Sequence, residues 1–225
     1  MSGTGIFETM RVYRGGLPLL EGHLLRLTDG AVALRLPRPS DALAAIARTR
    51  AGEGAPHRIL RLAWSEEGTV WSERELGPER SWRVLTSGVA HRAYPVKSMD
   101  RIPFDRALAE AEAAGADEPL LLTSDGLVAE AARFALLWLD EGVLRYPAAD
   151  LGVLPSLGVR RALDVAATLG IPSGPARIPR VELDGRSVWL VNAARGLVPV
   201  AALDDQPVPP SEVLAEVAGQ FWPSA

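Results

Sequence analysis

Apolar residues recur at three- and four-residue intervals between Gly22 and Leu36, at Leu24, Leu27, Ala31 and Leu34, and Pro37 and Pro39 end the run. That spacing predicts an amphipathic helix. Ahead of it, strand formers fill Ile6 to Val12, Gly15-Gly16 suits a tight turn, and Leu17 to Leu20 can return as a second strand. The chain is therefore expected to open with a hairpin. Ser40 is placed to cap a second helix through about Arg50. His57 to Trp64, Thr69 to Glu75 and Trp82 to Ala90 read as three strands separated by glycine- or proline-bearing turns. His91 to Lys97 reads as a connector, because Pro95 disfavours both a helix at Tyr94 and a central-strand position.

The second half opens with a helix from about Pro103 to Ala114, with Pro103 suited to the first turn and Gly115 to the stop. Hairpin signals follow. Glu118 to Thr123, Leu127 to Ala131, Phe134 to Asp140 and Val143 to Tyr146 are punctuated by Asp125-Gly126 and Glu141-Gly142. A loop from Gly152 to Ser156 enters a helix ending near Gly170. Strands at Ser187 to Asn192 and Leu197 to Ala202 and a short helix capped by Ser211 complete the pattern. The fold class expected is α+β in two domains, residues 1–92 and 98–225, with a connector at 93–97.

A chain of 225 residues that is 48% hydrophobic can bury a substantial core. Its net charge of −4, with both signs dispersed, forms no basic stripe, so small molecules are expected partners rather than nucleic acid or an anionic membrane. There is no cysteine, and His23, His57 and His91 lack helical metal-ligand spacing, so neither thiolate nor metal catalysis is expected. The opening Met1 to Glu8 lacks the basic and apolar regions of a signal peptide. The longest apolar run, Phe134 to Leu139, is too short to cross a bilayer. A cytoplasmic location is expected.

Charge usage singles out one residue: against 23 arginines the chain has one lysine, Lys97. Arginine keeps its proton near neutral pH, whereas lysine offers a primary amine able to form an imine with an aldehyde. A solvated surface lysine left by biased codon usage explains the same observation. Four other features make sense together if Lys97 holds a phosphorylated aldehyde. Glu130 is a carboxylate in an otherwise uncharged strand; it either keeps a pyridine nitrogen protonated or faces water from a sheet edge. The loop through Ser156, Leu157 and Gly158 enters a helix, where N–H groups and the helix dipole favour a phosphate. His23 and Arg26 share a helical face, and Arg26 is either a phosphate clamp or a surface arginine. The stretch Asn192-Ala193-Ala194-Arg195-Gly196 breaks a strand at a small-residue turn, which either admits an anion to the backbone or serves packing.

In this order, Gly5-Ile-Phe-Glu-Thr-Met-Arg-Val12, His23-Leu-Leu-Arg26-Leu27, Val96-Lys97-Ser98, Gly115-Ala-Asp-Glu118, Leu120 to Gly126, Val128-Ala-Glu130 and Asn192 to Val200 resemble the class IV aminotransferase family of pyridoxal phosphate enzymes. That family includes branched-chain and D-amino acid transaminases and 4-amino-4-deoxychorismate lyase. The resemblance implies a smaller N-terminal α/β domain, a larger strand-rich C-terminal domain and a homodimer. It implies pyridoxal 5'-phosphate held by Lys97 as an imine, with Glu130 at the pyridine nitrogen and Arg26 on the phosphate. It also implies that Ser156, Leu157, Gly158, Asn192 and Ala193 lie about the cofactor.

Asn192-Ala-Ala-Arg195-Gly196 and Phe7-Glu8-Thr9-Met10-Arg11 resemble the lyases of this family more than its transaminases, with Arg11 and Arg195 placed to read substrate carboxylates. The expected reaction is conversion of 4-amino-4-deoxychorismate to 4-aminobenzoate and pyruvate, a step of folate biosynthesis, with Lys97 as the base. The alternatives are an amino acid transaminase and a non-catalytic relative. The chain departs from the family pattern at Ala135, where an asparagine is usual. It departs again at Ser156, Gly158 and Val159, where the usual phosphate loop carries glycine, threonine and arginine; Arg160 or Arg161 can compensate.

Overall fold

The computed structural model describes residues 4–94 and 96–223. Met1 to Gly3 and Pro95, used in the sequence reading above, lie outside the described residues. The chain divides into two compact units, one of Met1–Pro78, Tyr94–Arg101 and Ala193–Arg195, the other of Glu79–Ala93, Ile102–Asn192 and Gly196–Ala225.

The first unit holds strand β1 (Gly5–Tyr13), helices α1 (Leu20–Ala33) and α2 (Leu43–Gly52), and strands β2 (His57–Ser65) and β3 (Gly68–Glu75). The strands form an antiparallel sheet in the order β1-β2-β3. The expected opening hairpin is not formed. Tyr13 and Gly16 exchange backbone hydrogen bonds around Arg14 and Gly15, both at positive φ, but the chain then enters α1 at Leu20. Pro18 has no N–H to offer a ladder, and Leu20, Leu27 and Ala31 bury one stripe of the helix instead. The true partner of β1 is β2, in register from Gly5 opposite Ser65 to Tyr13 opposite His57.

Period-two alternation sends Ile6, Glu8, Met10 and Val12 to one face of β1. There Ile6, Met10 and Val12 pack with Leu20, Leu27, Ala31, Leu60 and Leu62. The segment around Lys97 runs along the other edge of β1: Phe7 N–H donates to the Lys97 carbonyl at 3.0 Å, and Met99 N–H donates to the Gly5 carbonyl at 2.8 Å. The lone lysine is thus fixed by ladder bonds to the strand edge that β2 leaves open.

The second unit contains β4 (Trp82–Thr86), α3 (Ile102–Ala113), β5 (Glu118–Leu122), β6 (Val128–Ala131), β7 (Ala135–Asp140), β8 (Val143–Pro147), α4 (Leu157–Thr168), β9 (Ser173–Ala176), β10 (Val188–Asn192), β11 (Gly196–Leu203), β12 (Gln206–Pro207) and α5 (Glu212–Gly219). The strand order is β6-β5-β4-β11-β10-β7-β8-β9, with β12 on β11. Both faces of this sheet are covered, which explains the unbroken apolar run in β7. Leu136 and Trp138 join one core with Trp82, Phe134 and Leu190. Leu137 joins the other with Val165, Val191, Leu214 and Phe221, beneath α4 and α5. Strand β9 departs from the sequence expectation, since Ser-Gly-Pro-Ala contains no strand former; it pairs in parallel with β8 at the sheet edge, where proline is tolerated.

Candidate active site

The first unit builds one charged cluster inside its core. Glu8 points from β1 toward α1 and is almost completely buried. Arg26 Nε donates to Glu8 Oε1 at 2.8 Å and Arg26 Nη2 to Oε2 at 2.6 Å, while His23 Nδ1 lies 2.6 Å from Oε2. A carboxylate only accepts, so the Nδ1 proton is fixed on His23. Burial pushes the Glu8 carboxyl up, but the hydrogen bonds from Arg26 and His23 outweigh it and hold its pKa at about 2. Burial pushes the fully enclosed His23 down; its bond to Glu8 opposes this, and the charges of Arg26 and Lys97 add to the depression. Arg26 is therefore no loose surface arginine, since one edge of its guanidinium is locked by the Glu8 carboxylate.

Phe7 and Arg11 lie on the opposite face of β1 from Glu8, by the same alternation. Three cations share the Phe7 ring: Arg61 Cζ lies 4.0 Å from its centroid, Lys97 Nζ 4.8 Å and Arg101 Cζ 5.7 Å. Aromatic rings hold cations in this way with a gain of about 0.5–2 kcal/mol each. The Arg11 guanidinium is 6.0 Å from the Tyr13 ring, and the residue is largely buried. Arg61 and Arg101 carry no special mark in the sequence, and only the β1–β2 register and the Lys97 edge bring them to Phe7. Arg195 Nη1 donates to the carbonyls of Gly77 and Pro78 at 3.3 Å each.

The second unit carries the other candidates. Glu130 lies on β6, at the edge of the sheet, yet it is only 5% exposed, so it does not face water. Its Oε1 is 3.2 Å from His91 Nδ1. His91 had no assigned role in the sequence, and no local spacing links it to Glu130. Burial lowers the His91 pKa, against the opposing pull of the Gly152 and Leu151 carbonyls.

Ser156 is the N-cap of α4, its hydroxyl accepting from Val159 N–H at 3.2 Å. The amides of Leu157 and Gly158 at the start of this 12-residue helix have no acceptor within the helix, which suits an anion. Gly158 is required by close approach: a Cβ there would lie 2.7–3.0 Å from the backbone of Asn192. Asn192 Nδ2 in turn donates to the Arg133 carbonyl at 3.1 Å. Of the two arginines that could replace the lost phosphate-loop side chain, Arg161 gives Nε to the Phe221 carbonyl and Nη2 to that of Gln220, so its donors serve the end of α5. Ala135 starts β7 opposite Val191.

Among the described residues no group of three histidine, aspartate or glutamate side chains could hold a metal ion, and no helix is long and apolar enough to cross a membrane.

Known structures share this fold over almost the whole chain. A fold IV transaminase from Curtobacterium pusillum is 29% identical with a TM-score of 0.82, covering 96% of this chain and 83% of its own. A protein assigned as a 4-amino-4-deoxychorismate lyase is 28% identical with a TM-score of 0.85, covering 99% and 91%. The branched-chain aminotransferase of the thermophilic archaeon Thermoproteus uzoniensis, whose structure was solved with norvaline, is 21% identical with a TM-score of 0.89, covering 98% and 84%. No curated protein matches the chain. The amino-transferase class IV family model matches residues 5–203, and the chain therefore belongs to that family of pyridoxal phosphate enzymes.

Proposed function

We infer that this enzyme is a lyase that converts 4-amino-4-deoxychorismate to 4-aminobenzoate and pyruvate. The observation that carries the reading is the gathering of Arg61 and Arg101 with Lys97 on the Phe7 ring. A substrate of the chorismate type bears two carboxylates, and arginine beside the reacting amine suits such a dianion better than a substrate with an apolar side chain. The 28% identity to a protein assigned to this activity, over nearly the full length of both chains, agrees with it.

The donor set fits pyridoxal phosphate: one amine on a fixed strand edge, one buried acid, one oriented arginine and one helix N-terminus. Lys97 would hold the aldehyde, Glu130 the ring nitrogen, and Arg26 with Ser156, Leu157, Gly158, Asn192 and Ala193 the phosphate end. When bound, the cofactor supplies an electron sink for the carbon that carries the amino group. Lys97 Nζ would be the base for the proton on that carbon, a role that requires a neutral amine. Departure of the enolpyruvyl group with its ether oxygen, followed by proton uptake at its methylene carbon to give pyruvate, would leave the ring aromatic. Glu8 and His23 keep Arg26 in a single orientation, and Arg11 faces a substrate carboxylate.

The test is a direct assay of the cofactor-loaded enzyme on 4-amino-4-deoxychorismate. Equal amounts of pyruvate and 4-aminobenzoate are expected, with loss of both in Lys97→Ala and Lys97→Arg. A second reading, an amino acid transaminase, is favoured by the 29% identity to the Curtobacterium pusillum enzyme. Amino-group transfer to a 2-oxo acid without pyruvate release from 4-amino-4-deoxychorismate would establish it and overturn the lyase.

A further inference from the structure

We propose that Glu118 is a positioning residue: through Arg133 it holds the Asn192 side chain and the end of β10 against the first turn of α4. This rests on the reading above, in which Asn192 and the start of α4 lie at the phosphate end of the cofactor.

Glu118 opens β5, and none of its side chain reaches solvent. A carboxylate in that position is costly unless N–H donors serve both of its oxygens. Arg133 supplies them. Its backbone N–H donates to Glu118 Oε1 at 2.5 Å and its Nε to Oε2 at 2.7 Å, while Nη2 also donates to the Asp117 carbonyl at 2.7 Å. One carboxylate thus fixes both the backbone and the side chain of the same residue.

Arg133 sits in the turn between β6 and β7, which Ala131 N–H closes on the Phe134 carbonyl at 2.9 Å. It lies outside both strands, so its backbone polar groups need partners other than a ladder. Glu118 takes the N–H, and the carbonyl accepts from Asn192 Nδ2 at 3.1 Å. Asn192 ends β10, and Gly158 of α4 packs on its backbone: a Cβ on Gly158 would lie 2.7 Å from Asn192 Cα. Contacts this close transmit a displacement rather than absorb it. Freeing the turn from Glu118 therefore acts on Asn192, and on the first amides of α4, through Arg133.

Asn192 is the single asparagine of the chain, so a sample labelled with 15N-asparagine shows one side-chain amide. In the cofactor-free protein Glu118→Gln is expected to shift that signal, and Glu112→Gln, an exposed control on α3, to leave it in place. An unmoved signal in Glu118→Gln would overturn the proposal. In the loaded enzyme, Glu118→Gln and Asn192→Ala are each expected to raise the dissociation constant for pyridoxal phosphate roughly 10-fold, the low end for a hydrogen bond to a charged group. Both should shift the 31P resonance of the bound phosphate in the same direction. Because the two act along one route, the double variant should bind no more weakly than the weaker of the single variants; additive losses would overturn the shared route. If Asn192→Ala weakens cofactor binding while Glu118→Gln leaves affinity and 31P signal as in the wild type, the role of Glu118 is wrong and the reading of Asn192 stands. If Asn192→Ala changes neither, the assignment of Asn192 to the phosphate end fails and takes the proposal with it. Should Glu118→Gln not fold, Arg133→Ala decides in its place, since it keeps both backbone groups of this exposed residue and removes the guanidinium. The Asn192 signal and the cofactor affinity should both move in that variant, and wild-type values of both would overturn the proposal.

Discussion

Arg26 meets Glu8 side-on, with Nε and Nη2 each donating to a different carboxylate oxygen at 2.8 and 2.6 Å. Such a pair constrains the guanidinium in two directions at once, which a lysine cannot reproduce. The pair also has an acid limit. The Glu8 pKa is lowered from 4.5 unfolded to about 2 folded, so its contribution to stability is complete above about pH 4.5 and is lost as pH falls through the folded value. The shift corresponds to roughly 3 kcal/mol. Glu8→Gln is therefore expected to unfold more readily at neutral pH and to lose less of its remaining stability than wild type between pH 5 and 2. Urea unfolding at a series of pH values checks this; parallel stability curves for the two proteins would show that Glu8 does not carry the acid response.

The two buried histidines act at higher pH. His23 and His91 both have folded pKa values below the ordinary 6.5, so the unfolded chain binds protons first as pH drops. Stability is expected to be flat above about pH 6.5 on this account and to fall below it, by up to about 1.4 kcal/mol per pH unit for each histidine. His91→Asn should remove one of the two contributions and flatten the slope between pH 6.5 and 5. Thermal melting across that interval measures it, and an unchanged slope would contradict the burial of an uncharged ring.

Much of this fold follows from local patterns in the sequence. The stripe through Leu24, Leu27 and Ala31 marks α1 because a helix brings residues three and four apart onto one face. Ser156 and Ser211 cap α4 and α5 through their own hydroxyls, a local contact with a local signature. What was not legible is long-range. The partner of β1 lies beyond two helices, and nothing in Leu17 to Leu20 except Pro18 argues against the shorter hairpin. Glu8 could have been placed in the core, since it alternates in step with Ile6, Met10 and Val12 on the apolar face of β1. The meeting of His91 with Glu130, and of Arg61 and Arg101 with Phe7, has no counterpart in spacing along the chain, because it arises from strand register and from loops that return to the same place.

Gly158 makes a prediction about the helix N-terminus. A methyl group there would sit 2.7 Å from Asn192 Cα and 2.8 Å from its carbonyl carbon, both backbone atoms that cannot rotate away. Gly158→Ala is expected to lift α4 from the end of β10, costing about 1–3 kcal/mol. Affinity for pyridoxal phosphate should fall as well if the first amides of α4 hold the phosphate. Gly52→Ala, in α2 with no atom within 4 Å of the added Cβ, is the control and is expected to be neutral or slightly stabilising. Melting curves and a cofactor titration of both variants separate crowding at α4 from a general glycine effect.

The cations on Phe7 give the sharpest test of substrate class. Arg61 and Arg101 stack on the same ring as Lys97, so if they read carboxylates their loss acts on binding of an anionic substrate before it acts on the chemical step. A hydrogen bond to a charged group is worth about 1.5–3 kcal/mol, so Arg61→Gln and Arg101→Gln are each expected to raise KM for a dicarboxylate at least about 10-fold, with a smaller change in kcat. Arginines in contact with solvent are screened by salt, so the wild-type KM should also rise with ionic strength and the variants should respond less. Phe7→Leu removes the ring but keeps the charges; it should loosen all three cations together and lower kcat as well as raise KM, because Lys97 shares the support. Steady-state kinetics over a salt series distinguishes these outcomes. If both glutamine variants keep the wild-type KM and differ only in melting temperature, the arginines serve packing against Phe7 and the preference for a dianionic substrate has no basis in this face of β1.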